Sequence, residues 1–462
     1  MKIKFILIFL LAVLIGLICC TPVKDKYHII KVRVGGTLGD SSLLDEKNFV
    51  VDYSRSSLFY YLSNENEDIL LPVFDNDLLL ICYSGSSSMA FYEYREQDGN
   101  ELEFRIYDSI AFLNGKAISV YDNGKPGSEQ MINSLSDEEI RQLRYLYLGY
   151  KYLPSDLSHI DRVAKINPHI GIIAADSGII MALERFRPKL LISENYPGQD
   201  AGVIEKICSA ESIESLIISD VSNEELNKIL KLPDLRKLMV LCMGNLDPGQ
   251  ELITNPTLEE LYINGEDCES VKSLDFLGNL KNLKHLAVIG CDSNLDISPL
   301  QGFNGLKALN LIGEDKVSGL SSLKDLHSLE SFYFPYGTSQ KEFNDFISDH
   351  QELKFISITG CESILDLSPL HNLKNLDFLT ISLLDSGFTA ESLKGLEQLE
   401  YLSIGHIEPE DSTLMSEIRS ILPGTVISEN NGMCLGSGYL LLIIPLFLLF
   451  SLILMFYRRR FT

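Results

Sequence analysis

One frame recurs along the chain: an apolar residue followed three and five positions later by two more. It returns every 22 to 25 residues, as Ile213, Leu216, Ile218, then Leu235, Leu238, Val240, then Leu258, Leu261, Ile263. It continues through Leu283, Leu286, Val288, then Leu306, Leu309, Leu311, then Leu329, Phe332, Phe334, then Leu353, Ile356, Ile358. The last two copies are Leu376, Leu379, Ile381 and Leu399, Leu402, Ile404, making nine in register. Alternation over a few positions describes a short strand with one buried face. Such a strand cannot bury that face alone, so the repeats must stack, strand beside strand, into a parallel sheet over a continuous core.

Further apolar residues, among them Leu277, Leu280, Leu300, Leu323, Leu370 and Leu396, are expected to cover that core from the convex side. Weaker copies extend the array N-terminally at Leu190 to Ser193, Ile170 to Ile172, and Leu143, Leu146, Leu148. The stretch Leu135 to Tyr147 also reads as a helix capped by Ser136 that could shield the end of the sheet. "ILPGTVIS" at 421–428 offers one more strand. About thirteen coils would give a sheet of roughly 60 Å along its arc, at ~4.8 Å per strand.

The L-x-x-L-x-L frame, in segments such as "LDLSPLHNLKNLDFLTI" and "LDFLGNLKNLKHLAVIG", resembles the leucine-rich-repeat family, particularly its short bacterial, internalin-like versions. The resemblance implies an α/β solenoid: a horseshoe with a parallel concave sheet, here over 135–428. Cys291 and Cys361 lie five residues after the central leucine-type position, where the family places Asn or Cys to satisfy turn backbone. Most other coils lack that residue, which puts a regular curvature in doubt.

Residues 27–134 are patterned differently. Strand-like runs at "HIIKVRV", "FVVDY", "LLLICY", "MAFYEY" and "LEFRIY" alternate with Gly, Asn, Asp and Ser clusters, and two Asn-Gly pairs suit tight turns. A small β-rich domain is expected there, either capping the solenoid or adding a second binding surface.

Both ends of the chain point to export. Residues 1–20 carry a short basic start (Lys2, Lys4) and an apolar run from Phe5 to Ile18, the layout of a secretory signal or of an uncleaved anchor. Cys20 is a lipidation candidate, although Cys19 and Ile18 depart from the small residues that lipoprotein signals place there. Residues 439–457 form an uncharged run long enough for one transmembrane helix, with Pro445 inside it. The basic tail 458–462 follows, and Arg458, Arg459 and Arg460 would stay cytoplasmic. The bulk of the chain would then be extracytoplasmic, at a cell surface or in a periplasm. The linker 429–438, with Cys434, resembles a bacterial C-terminal sorting signal, in which Cys434 would mark the processing point; a plain stop-transfer anchor is the alternative. The one N-x-T acceptor, Asn255-Pro256-Thr257, is blocked by its proline, which fits a bacterial source.

Charge narrows the partner. At a net −25, nucleic acid and anionic lipid surfaces would be repelled, and a neutral or basic protein or peptide fits better. No catalytic motif, phosphate loop or complete calcium loop occurs, so the expectation is a binding protein with no cofactor and no metal. Six cysteines in the exported body permit three disulfides, but no C-x-x-C pair supports zinc.

Residues flanking the inward leucines should face outward on the concave side by the two-residue period of a strand. Tyr262, His285, Tyr333, Phe355, Phe378 and Tyr401 stand there. Low charge and many aromatics have the composition of an interaction patch. Two readings stay open: the concave face holds a partner, or the N-terminal domain covers it and carries the binding function, with the repeats as a spacer.

Overall fold

The computed structural model describes residues 27–35, 47–52, 60–64, 68–74, 78–82, 89–149, 156–193, 201–241, 252–268, 274–291, 295–312, 317–382, 388–405 and 412–429, apart from positions 108, 123, 125, 220, 362 and 365. The expected signal 1–20, Cys20, Cys434 and the apolar run 439–457 lie outside these residues. Among the described residues no helix is long and apolar enough to cross a membrane.

Nine strands come from the N-terminal part: β1 Tyr27–Gly35, β2 Lys47–Asp52, β3 Tyr60–Asn64, β4 Asp68–Phe74, β5 Leu78–Cys82, β6 Met89–Glu93, β7 Glu101–Ile106, β8 Ile110–Leu113 and β9 Lys116–Asp122. β2, β3, β5 and β6 form one antiparallel sheet. The others open a second sheet, in which β1 pairs with β4 and β7, β7 with β8, and β8 with β9. The β8–β9 turn is made by Asn114 and Gly115, both at positive φ. Asn114 tolerates that conformation while its amide secures the neighbouring strand, accepting from the Glu103 N–H at 2.8 Å and donating to the Glu101 carbonyl at 3.2 Å.

Thirteen strands follow: β10 Tyr145–Leu148, β11 Gly171–Ala174, β12 Leu190–Ser193, β13 Ser215–Ser219, β14 Lys237–Leu241, β15 Glu260–Cys268, β16 His285–Cys291, β17 Ala308–Ile312, β18 Ser331–Phe334, β19 Phe355–Thr359, β20 Phe378–Ser382, β21 Tyr401–Gly405 and β22 Val426–Glu429. Each pairs parallel with the next. This is the stacked parallel sheet that the repeat frame predicts and that the resemblance to leucine-rich repeats also implies. β9 already pairs parallel with β10, so the sheet runs unbroken from the N-terminal part into the coils. Both readings of 135–147 hold in succession. Ser136 and Glu139 form a reciprocal cap on a helix at Asp137–Gln142, and β10 starts three residues later.

The repeat frame is the core. Its members are buried throughout, from Ile213 to Ile404, and the convex leucines close over them. The early coils cover that side with α-helices such as Ser158–Ile166 and Asp176–Arg185, the later ones mostly with single 3-10 turns such as Asp275–Leu277 and Ser298–Leu300. The coil after β18 is an exception, with a helix at Gln340–Asp349. Its Phe343, Phe346 and Ile347 share one face and pack on Phe332 and Phe334, Phe346 stacking on Phe332 with ring centroids 4.1 Å apart.

Turn carbonyls left without an asparagine ladder are satisfied from elsewhere. Three residues before the frame, most coils carry an apolar side chain, but three carry Asn167, Asn255 and His350. Asn167 donates to the Ile140 and Leu143 carbonyls at 3.0 and 2.8 Å, and Asn255 to that of Leu230 at 2.8 Å. His350 sets its ring nitrogens against the Phe346 and Leu323 carbonyls. Each thus ties a coil to the one before it. Cys361 is wholly buried with its thiol 3.3 Å from the Pro335 carbonyl, and burial pushes the thiol up to about 12. It and Cys208 are free thiols, so three disulfides do not form.

From β13 to β21 the residue just before each strand builds a second ladder along the sheet edge. Its N–H bonds the carbonyl of the corresponding residue one coil earlier, as in Arg236 to Glu214, Glu259 to Arg236 and Lys284 to Glu259. The side chains pair likewise: Glu330 sits 2.9 Å from the Lys307 ammonium and 3.0 Å from that of Lys354. Burial raises the Glu330 carboxyl, but the two ammonium groups outweigh it and hold the group below its ordinary range. Asp377, next along, is raised by burial and by Glu400.

A depressed carboxylate contributes stability above its unfolded pKa, and that stability is lost as pH falls through the lower folded value; a raised one costs stability above its folded value and costs nothing below the unfolded one. Glu330→Gln should therefore lower the denaturation midpoint at pH 7, an effect that fades below about pH 4.3. Asp377→Asn should raise it at pH 7, with the gain gone below about pH 3.9. Thermal melts of both variants against the wild type across pH 3–8 check the opposite signs.

Candidate functional site

The strand register sets the outward-facing residues in rows. The first row runs through Lys237, Glu260, His285, Ala308 and Ser331 to Phe355, Phe378, Tyr401 and Val426. Its C-terminal end is aromatic: Phe355 and Phe378 rings lie 4.7 Å apart, Phe378 and Tyr401 rings 5.7 Å apart. Ile29 and Val426 pack against these three. Tyr262 and Tyr333 stand in the second row, on β15 and β18, three coils apart. His285 stands in the first row beside an acidic and a basic neighbour. Its Nδ1 is 3.6 Å from Glu260, which is 3.6 Å from the Lys237 ammonium. These are longer than hydrogen bonds but close enough for charge to act between them.

The expectation that these residues face solvent does not hold. Tyr262, His285, Tyr333, Phe355, Phe378 and Tyr401 are only 2 to 8% exposed. Lower-lying polar members of the same face, Ser357, Thr380 and Ser403, are buried too. Contacts with the N-terminal strands are made at both ends of the face. At the C-terminal end, Ile29 of β1 packs on the aromatic cluster and the Tyr401 hydroxyl donates to the Leu70 carbonyl of β4 at 3.3 Å. At the N-terminal end, the Glu93 N–H donates to the Tyr145 hydroxyl at 3.1 Å. Arg144 there donates to the Glu93 carbonyl at 2.9 Å and to both Asp98 oxygens at 2.8 and 2.9 Å. Asp98 also accepts from the Tyr92 hydroxyl, and burial with Asp98 raises that phenol above its ordinary range. The Arg144–Asp98 pair is little exposed, so removing either partner would strand a buried charge, at a cost of about 3–5 kcal/mol.

One further buried cluster has the residue types of a nucleophilic triad in an unsuitable order. Ser128 donates to Asp122 at 2.8 Å, and His159 meets the other Asp122 oxygen at 2.6 Å. The carboxylate stands between the serine and the imidazole, the reverse of a triad, in which the imidazole lies between the nucleophile and the carboxylate. The cluster ties two helices, Pro126–Ser134 and Ser158–Ile166, to the end of β9. Among the described residues no three His, Cys, Asp or Glu gather as for a metal ion. In the sequence His285 stands out singly, and the structure adds Glu260 and Lys237 beside it. A signal for the group was present, since all three precede the central leucine-type residue of successive coils.

No family model matches the chain, and no curated protein matches it. Solved structures similar to it are repeat proteins. An internalin (inlF) of Listeria monocytogenes is 18% identical over 68% of this chain and 86% of its own, with a TM-score of 0.37. The Leptospira interrogans leucine-rich-repeat protein LIC12759 is 15% identical over 71% and 78%, with a TM-score of 0.37. Internalin C2 of L. monocytogenes is 15% identical over 50% and 93%, with a TM-score of 0.29.

Phe378 is sandwiched between two rings and under the N-terminal strands. Phe378→Ala should cost about 3–5 kcal/mol, as for a buried core aromatic, whereas Tyr401→Phe, which keeps the ring and removes the hydroxyl that donates to the Leu70 carbonyl, should cost about 0.5–1.5 kcal/mol. Denaturant titration of the two variants tests this ordering; equal, small losses would mean that the face is solvated.

Proposed function

We propose that the chain is a protein-binding repeat protein, exported and held at a membrane by its C-terminal segment, whose concave face receives an apolar β-surface. The observation that carries this reading is the stack Phe355, Phe378 and Tyr401, held under Ile29 and bonded through the Tyr401 hydroxyl to the Leu70 carbonyl. Stacked rings supply apolar area at little entropic cost, and a hydroxyl beside them meets a strand carbonyl. Here the occupant is the chain's own β1–β4 pair. A partner presenting an equivalent apolar strand would compete for the same place, and a neutral or basic one would meet the least repulsion from a chain at −25.

A second reading draws on the same burial: with the concave face filled, the N-terminal β domain itself carries the partner surface and the coils hold it in position. The binding role of Tyr262, His285 and Tyr333 belongs to the first reading. The placement of Cys434 as a processing point and of Cys20 as a lipid acceptor belongs to the membrane attachment common to both.

Ile29→Glu separates the readings, because it places a charge on the covering strand and leaves the concave residues themselves unsubstituted. Full-length wild type and variant are compared as baits in a pull-down from the native envelope. Under the first reading the variant captures more of a partner than the wild type, and a peptide copying residues 27–35 competes that partner away. Loss of capture in a variant that remains folded would assign binding to the docked N-terminal domain.

A further inference from the structure

At the start of the solenoid, on the edge where the strands begin, lies an open groove of about 800 Å³. It runs from β9 to β14. Seven lysines and arginines line it against three carboxylates, a local net of +4 in a chain of −25. The cations come from widely separated stretches: Lys116 opens β9, Arg141 ends the helix at Asp137–Gln142, and Arg144, Lys189 and Arg236 each immediately precede a strand.

Their present engagements differ. Arg144 is committed to Asp98 in a little-exposed pair. Arg141 and Lys189 form solvent-exposed pairs with Glu138 and Glu214, which are weak and easily exchanged. Lys116 and Arg236 are exposed and enter no ion pair among the described residues.

Farther along the same edge the charges cancel. Glu259 pairs with Lys284, Glu330 binds both Lys307 and Lys354, and the edge ends on Asp377 and Glu400. The positive field is therefore confined to the first coils. A long polyanion would leave the groove and meet an acidic surface, whereas a short anionic segment would not. Lys116 and Arg236 stand five strands apart, roughly 24 Å at ~4.8 Å per strand. One compact anion cannot span that separation. An extended peptide can, with about seven residues at ~3.3 Å each.

We infer that this groove is a docking site for an extended acidic peptide segment of a partner protein, with Lys116 and Arg236 holding its ends and Lys189 and Arg141 exchanging their surface carboxylates for those of the ligand. It adjoins the N-terminal end of the first concave row, which it shares through Ser215 and Lys237, and lies away from the aromatic end formed by Phe355, Phe378 and Tyr401.

The test is fluorescence anisotropy of full-length protein with a labelled decapeptide bearing acidic residues at alternate positions. Saturable binding is expected at low ionic strength, weakening as salt is raised, and at least tenfold weaker in Lys116→Glu/Arg236→Glu. The control Lys341→Glu/Lys394→Glu changes net charge equally at exposed sites elsewhere and should bind as the wild type does. All four residues are exposed, so unchanged thermal midpoints are expected. The proposal is overturned if no saturable binding occurs, if both double variants lose it alike, if a basic decapeptide binds as well, or if tripolyphosphate displaces the label as effectively as unlabelled peptide.

Discussion

Stacking of incomplete units is the constraint on which the rest depends. A single coil exposes three leucine-type side chains on one strand face and a row of unpaired peptide groups on each edge. Neither is tolerable in isolation. Placing Leu216 beside Leu238 and Leu261, with the strands in parallel register, removes both costs together and forces every outward residue into a row. The concave rows, the edge ladder from Lys189 to Glu400 and the groove at its basic end are all consequences of that register. So are the positions from which Asn167, Asn255 and His350 can reach back one coil.

The same constraint sets the problem at the ends of the array. The first solenoid strand would present an open edge, a template for unwanted pairing. β9 covers it by pairing with β10, and β8, β7, β1 and β4 extend the sheet further. The strands that close this edge also reach the far end of the concave face, where Ile29 and Leu70 meet the last coils. Edge protection and occupation of the concave face are thus one structural device, and the N-terminal part is better described as part of the solenoid than as a body spaced away from it.

The coils were legible in the sequence because their signal is local and periodic: three apolar residues at fixed spacing, repeated nine times. The burial of the concave face was not. Tyr401 and Leu70 are separated by 331 positions, and no periodicity in either segment announces the contact. The polar row Lys237, Glu260, His285 was halfway between these cases, visible once the frame is used to align one coil with the next. The basic groove was hidden by composition, since a total of −25 conceals a cluster assembled from residues as distant as Lys116 and Arg236. Cys361 matched its expected structural place, while the carbonyl-satisfying asparagines sat at a different point of the coil from the one the family pattern suggests.

Whether the chain's own N-terminal strands close over the aromatic end of the concave face can be read by side-chain footprinting of the full-length protein with hydroxyl radicals. Phe355, Phe378 and Tyr401 should be protected as strongly as the core residues Phe332 and Phe343, which are buried whatever covers the concave side. Oxidation of the three at the rates of exposed aromatics, with Phe332 and Phe343 still protected, would show a concave face open to solvent.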